Sequence, residues 1–175
     1  MPRAEESQFV RGSVDAPIGR VGVVVRNAKV IEVRFRVPQR GWTAESVGDV
    51  RSKQVLARAL KELQEYFEGK RRKFSVPIEL TGTDFQINAW KALTRIGFGR
   101  TSTYKEQAMS IGRLTATRAV GAANGRNPIP VILPCHRVVG ADGTLTGFSG
   151  GLNIKKWLLA HEQDVINGQR TTVRS

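Results

Sequence analysis

The sequence predicts a mixed α/β (α+β) fold: a small N-terminal sheet with one helix, then a mainly helical C-terminal unit built on a helix-turn-helix. Three stretches carry that prediction. RVGVVVR (20–26) and KVIEVRFR (29–36) are rich in β-branched residues and adjoin across Asn27-Ala28, as the arms of a hairpin do. Over 52–67 the apolar residues Val55, Leu56, Ala59, Leu60, Leu63, Tyr66 and Phe67 recur every three to four positions, the period of an amphipathic helix. Residues 104–111 and 115–124 form two short helical patterns separated by Gly112-Arg113-Leu114, the length and punctuation of a helix-turn-helix.

The remaining elements follow in order. VPQRGWTAESVGDV (37–50) has no clean period and reads as loop. Gly69 ends the long helix, because glycine takes the left-handed conformation that closes a helix without steric cost. KRRK (70–73) reads as a solvated turn, with a phosphate contact as the alternative. FSVPIEL (74–80) alternates, and Pro77 confines it to a sheet edge or an extended linker. Asp84 is the expected N-cap of a helix carrying Phe85, Ile87, Trp90 and Leu93. In the second helix of the pair, Ala116, Ala119, Val120 and Ala123 can face inward, with Thr115 and Arg118 on another face. Its core, RAVGAANG, is mostly Ala and Gly, and each interior Gly costs about 1 kcal/mol relative to Ala. So slim a helix suits either tight helix packing or close approach to a partner surface. A proline-rich strand, the loop GADGTLTGFSGG and a last helix from near Asn153, with Ile154, Trp157, Leu158 and His161 as its stripe, complete the unit. The expected domains are 1–80 with a linker, 81–166, and a flexible tail at 167–175.

Composition narrows the function classes. The 175 residues are 40% hydrophobic, enough for a real core, yet no run of about 18 apolar residues exists to span a membrane. MPRAEESQFVRG lacks the apolar stretch of a secretory signal, so an intracellular protein is expected. Lys and Arg number 28 against 15 Asp and Glu, a formal +13 that favours a polyanionic partner over a merely basic soluble protein. Residues 85–138 hold eight basic residues (Lys91, Arg95, Arg100, Lys105, Arg113, Arg118, Arg126, Arg137) and one acidic residue, Glu106. With that charge around it, the slim helix is read towards a nucleic acid and its narrow minor groove.

The densest charge surrounds the chain's one cysteine, in NPIPVILPCHRV (127–138). A single cysteine excludes an internal disulfide and a multi-cysteine zinc cluster, and two histidines offer little for another metal. Cations or a histidine beside a thiol favour the nucleophilic thiolate, and His136 and Arg137 follow Cys135 directly. On an extended segment neighbouring side chains point to opposite faces, so a water bridging thiol and imidazole is expected in place of direct contact. Pro128, Pro130 and Pro134 restrict the backbone and would hold a nucleophile in place. The alternative is a buried, inert cysteine. A protease-like pairing would need a distant histidine, and His161 sits on an apolar face where core packing is simpler.

PCHRV (134–138) resembles the active-site signature of the O6-alkylguanine-DNA alkyltransferases, or methylated-DNA–protein-cysteine methyltransferases. GTDFQINAWKAL, TSTYKEQA, RAVGAANGRNPIPVILPCHRVVGADGTLTG and SGGLNIKKWLLAHE are similar to that family in its order, over roughly 80–162, with weaker likeness in DAPIGRVGVVV and YFEGK. The resemblance implies an N-terminal RNase H-like domain at 1–80 and direct repair of O6-alkylguanine in double-stranded DNA. The damaged nucleotide is flipped from the stack, because its alkyl carbon is otherwise out of reach. The alkyl group then moves irreversibly to Cys135, one lesion per molecule and without a cofactor; O4-alkylthymine is left open as a second substrate. His136 and Glu162 match the residues that draw off the thiol proton through a water, and Asn127 matches the brace of this turn. Tyr104 matches the phenol that donates towards the departing guanine and presses on the flanking phosphate. Arg118 matches the arginine finger, and Thr115, Ala119, Gly121 and Ala122 would lie in the minor groove. The carbonyls of Cys135 and Val138 and the Ser149 N–H would read the base, with Phe148 as pocket wall. The bland alternatives are a phosphate contact for Arg118, a surface carboxylate for Glu162 and a core aromatic for Tyr104.

Two positions depart from the family. Phe148 stands where tyrosine is usual, which removes a hydroxyl near the leaving oxygen; Gly97 stands where proline is favoured, which predicts a looser loop before Tyr104. Relatives that hold zinc use N-terminal cysteines and histidines that this chain lacks, so zinc is not expected. A monomer in the cytoplasm, on the nucleoid (or in a nucleus, if eukaryotic), is expected, with cooperativity on DNA left open. Two rival functions remain: a protein that flips and flags the lesion, disfavoured by Cys135, and a helix-turn-helix regulator, which leaves PCHRV unexplained.

Overall fold

The computed structural model describes residues 9–42 and 47–168; the expected tail beyond 168 and the TAES part of the 37–50 loop lie outside them. The chain divides into two compact units, Met1–Glu79 and Leu80–Ser175.

The first unit is an antiparallel sheet, β1 (Phe9–Ala16), β2 (Gly19–Arg26) and β3 (Lys29–Phe35), in the order β1-β2-β3, with α1 (Val50–Phe67) against it. The expected hairpin is β2–β3. Asn27 and Ala28 take φ of 50° and 57°, the paired left-handed values of a turn whose twist matches two right-twisted strands. β2 reads as a continuous apolar run because both faces are covered. Val21, Val23 and Val25 are fully buried, while Val24 joins Val37, Trp42 and Ile31 in a cluster on the other face. Gly22 makes room for that cluster, since a Cβ there would sit 2.5 Å from the Trp42 ring.

The sequence reading did not include β1. FVRGSVDA buries only Val10 and Gly12 fully, so this edge strand leaves little hydrophobic signal. Of the expected stripe α1 buries Leu56, Ala59, Leu63, Tyr66 and Phe67 and half-buries Val55 and Leu60, and Asp49 caps it by accepting from the Ser52 N–H. Residues 77–79 run along the free edge of β3 through Val30 N–H to Pro77 O (2.9 Å) and Glu79 N–H to Val30 O (2.9 Å). In KRRK, Arg71 pairs with Glu65 at 2.7 Å and Lys70 with Glu68 at 2.7 Å.

The second unit contains α2 (Asp84–Leu93), β4 (Ser102–Thr103), α3 (Tyr104–Ser110), α4 (Thr117–Gly125), a 3-10 turn (Cys135–Arg137), β5 (Val138–Val139) and α5 (Leu152–Ile166). The cap of α2 is Thr83, not Asp84. Thr83 and Gln86 form a reciprocal capping box that satisfies two N–H groups, so the helix starts with Asp84 inside its first turn. Thr103 and Glu106 cap α3 in the same way. α3 and α4 are locked by a buried amide pair. Gln107 Nε2 donates to Asn124 Oδ1 (2.9 Å), and Asn124 Nδ2 to Gln107 Oε1 (2.7 Å). Gln107 also donates to the Ala89 carbonyl, and Trp90 Nε1 to the Ala123 carbonyl, so α2 fixes both helices.

α4 corrects one expectation. Val120, Ala123 and Asn124 are buried, but Ala119 is exposed and lies outward with Arg118 and Ala122. Position 119 fits the spacing of both faces, and its exposure puts it with 118 and 122 on the outer one. The expected proline-rich strand is instead a tight turn. Leu133 N–H returns to Ile129 O at 2.9 Å, and Val131 takes φ 73°. A β-branched residue in that region costs on the order of 1–3 kcal/mol. Burial of Ile129, Val131 and Leu133 holds it there.

Candidate active site

Cys135 opens the 3-10 turn, where Arg137 N–H donates to Pro134 O (3.0 Å) and Val138 N–H to Cys135 O. The cysteine and histidine therefore lie on a turn, where neighbouring side chains do not alternate between opposite faces as they do on the expected extended segment. Asn127 braces the turn from inside: Nδ2 donates to Leu133 O (2.8 Å) and Oδ1 accepts from Ile129 N–H (3.0 Å). β4 and β5 pair in parallel, Ser102 with Val138 and Thr103 with Val139. This short ladder brings Tyr104, the next residue after β4, to the residues that follow the cysteine turn.

Burial dominates the electrostatics. Cys135 is 4% exposed, and burial pushes its thiol up to about 11, against a hydrogen bond from Asn127 and the charge of Lys155. The resting sulfur is a neutral thiol at pH 7, contrary to the expectation of a favoured thiolate. Cations stand nearby, but they do not offset the lost hydration. His136 is fully buried; desolvation lowers it, opposed by Glu162 and helped by Arg137 and Lys155, so the imidazole is neutral. Its Nε2 contacts Glu162 Oε2. Glu162 is 1% exposed; burial pushes it up, but the hydrogen bond from His136, the charge of Arg137 and the Gly99 N–H hold it below the ordinary carboxylate range. An ionised carboxylate accepts only, so Nε2 carries the proton and Nδ1 keeps a lone pair. Among the described residues, His136 Nδ1 is the buried side-chain nitrogen without a hydrogen-bond partner.

Glu162 is thus an interior carboxylate. Its other oxygen accepts from Arg137 Nε (2.7 Å) and Gly99 N–H (2.9 Å). Arg137 Nη1 reaches Ile96 O (2.7 Å), and Gln163 Nε2 reaches Gly99 O (2.6 Å). The segment around Gly97 is therefore anchored on both sides of the glycine, in place of the looseness its sequence suggests.

The other candidate residues fall in two groups. Thr115, Arg118, Ala119 and Ala122 are exposed along one face of α4 and its lead-in. Gly121 faces Tyr104, whose ring lies 3.7 Å from where a Cβ would be. Val138 is fully buried, Phe148 half-buried and Ser149 exposed, the last two on the loop before α5. The Tyr104 hydroxyl donates to Thr146 O in the same loop at 2.9 Å. His161 is buried and stacks on Trp157, with ring centroids 4.7 Å apart. Among the described residues no group of His, Cys, Asp or Glu side chains is placed to hold a metal ion, and no helix is long and apolar enough to cross a membrane. A cavity of about 250 Å³ beside α2 and α3, lined by Arg95, Arg100 and Glu106 among others, does not include Cys135.

Sequence reasoning assigned nothing to Lys155 or Thr146 and gave Arg137 only a general charge. Lys155 carried a signal, because it lies in phase with Leu158 and Glu162, three and seven positions on, along the buried face of α5.

Comparison with known proteins agrees along both units. Residues 84–164 match the family described as 6-O-methylguanine DNA methyltransferase, DNA binding domain, and residues 10–80 match its ribonuclease-like domain. A methylated-DNA–protein-cysteine methyltransferase of Methanosarcina barkeri is 50% identical over 115 residues, covering 66% of this chain and 73% of that protein. One of Mycobacterium bovis is 42% identical over 156 residues, 86% and 90% of the two chains. The crystal structure of Mycobacterium tuberculosis OGT in complex with DNA superposes with a TM-score of 0.77 at 39% identity, covering 89% of this chain and 93% of that one. With the cysteine turn, its histidine and its buried glutamate in one unit, and relatives of this identity along most of its length, the chain belongs to the methylated-DNA–protein-cysteine methyltransferase family.

Proposed function

We propose that this protein repairs O6-alkylguanine in double-stranded DNA by a single irreversible transfer of the alkyl group to Cys135. The observation that carries the reading is the buried constellation of Cys135, His136 and Glu162, in the same unit as an exposed small-residue helix face. Arg118, Ala119 and Ala122 on that face lack the bulk that would keep a helix out of the minor groove, and Arg118 is long enough to fill the space of an extruded base.

In the transfer, Sγ forms a bond to the alkyl carbon as the carbon–O6 bond breaks. The bonding pair stays on O6, and guanine is restored when the base takes up from solvent, at N1, a proton equivalent to the one the thiol lost. The thiol proton leaves through a water to His136 Nδ1, the lone-pair nitrogen, while Glu162 stabilises the imidazolium that forms. Tyr104 donates to the base as it gains electron density, and the backbone of Cys135, Val138 and Ser149 reads its edge. Burial makes this proton route necessary, because a thiol held near 11 does not ionise by itself at pH 7. A thioether resists hydrolysis and the sequence has no second cysteine, so each molecule acts once.

The test is incubation with duplex DNA carrying one O6-methylguanine, followed by intact-protein mass. A gain of one methyl, mapped to Cys135 and absent in Cys135→Ala, is the expected result. Tight lesion binding with unchanged mass would replace this reading with the flagging role.

A further inference from the structure

Lys155 has no exposed surface, and the transfer described above gives its charge no task. A buried ammonium is tolerated only where its donors are met. Nζ donates to the Thr146 carbonyl at 3.0 Å and to the Tyr104 hydroxyl at 3.4 Å, and it lies 5.7 Å from the centre of the Tyr104 ring. The Tyr104 hydroxyl donates to that same carbonyl at 2.9 Å and accepts from Thr146 Oγ1 at 3.2 Å. One carbonyl thus takes two donors, and the phenol's single proton is already committed.

That commitment conflicts with any donation by Tyr104 to an extruded base, because a hydroxyl has one proton to give. Turning it away leaves the Lys155 ammonium as the donor to the Thr146 carbonyl. We propose that Lys155 is the positioning residue for Tyr104. Its ammonium keeps the Thr146 carbonyl satisfied when the phenol turns to the base, and by donating to the phenol oxygen it strengthens the phenol as a donor. Thr146 shares its loop with Phe148 and Ser149, so the same ammonium ties the expected pocket wall to α5. The proposal rests on the reading of Tyr104 as the base donor.

The experiment is a double-mutant cycle on the single-turnover rate of methyl transfer from duplex O6-methylguanine, read as methylated Cys135. Lys155→Met, in the full-length chain, is expected to slow transfer at least tenfold in the Tyr104 background and less than threefold in the Tyr104→Phe background. An equal loss in both would overturn the proposal, because it would assign Lys155 to Cys135 through its charge, independent of the phenol. Where Lys155→Met fails to fold, Lys155→Gln is used with the same criterion, since its amide still reaches for a carbonyl but carries no charge. A wild type that takes up no methyl would instead sink the alkyl-transfer reading itself.

Discussion

His136 and Glu162, 26 residues apart in sequence, meet through Nε2 and Oε2 in a pair with almost no solvent exposure, and Arg137 takes the carboxylate's other oxygen at 2.7 Å. The carboxylate fixes the imidazole's proton on Nε2, which leaves Nδ1 as the acceptor.

Glu162→Gln removes that control and leaves Arg137 buried without its counter-charge. Transfer is expected to slow at least tenfold, and stability to fall by about 3–5 kcal/mol, the range for breaking a buried pair. The pH dependence follows from sign. Glu162 is held below its ordinary 4.5 in the fold, so its contribution is complete above about 4.5 and is lost as pH falls below that through its lowered folded value. The stability gap between wild type and variant, read by urea unfolding, should narrow as pH falls below about 4.5. A gap independent of pH there would refute the assignment.

Asn127→Ala leaves the Leu133 carbonyl and the Ile129 N–H without their buried partner. The expected cost is about 1–3 kcal/mol for each group left unsatisfied, with at least tenfold slower transfer as the cysteine turn loosens. Urea unfolding and the single-turnover rate check the two halves separately. Loss of stability at unchanged rate would make Asn127 a packing residue only.

Arg118→Ala changes an exposed side chain on α4, so stability should stay within about 0.5 kcal/mol. Repair of duplex DNA should slow much more than reaction with free O6-benzylguanine, which needs no extrusion. Equal losses on the two substrates would remove the finger role.

Phe148→Tyr restores a hydroxyl beside a half-buried ring. One added hydrogen bond is worth about 0.5–1.5 kcal/mol, so transfer should speed up by roughly two- to tenfold. An unchanged rate would show that the hydroxyl finds no partner here.

The sequence alone determined the two-unit α/β character, the α1 stripe, the β2–β3 hairpin and the order of motifs that leads to the family. Each is a local or linear signal: a period, a turn dipeptide, a run of residues at fixed spacing. Tertiary structure decided the rest. β1 was not legible because an edge strand buries few side chains, and the proline segment became a tight turn because Val131 is forced into a left-handed conformation by burial around it. Cys135 had the neighbours of a thiolate in sequence, yet its depth in the fold holds it as a thiol. Tyr104 lies 42 residues before Thr146 and 51 before Lys155, and only the tertiary packing gives one buried ammonium both a carbonyl and a phenol to hold. Burial and long-range hydrogen bonds depend on what the rest of the chain places around a residue, so these features lie beyond any local reading.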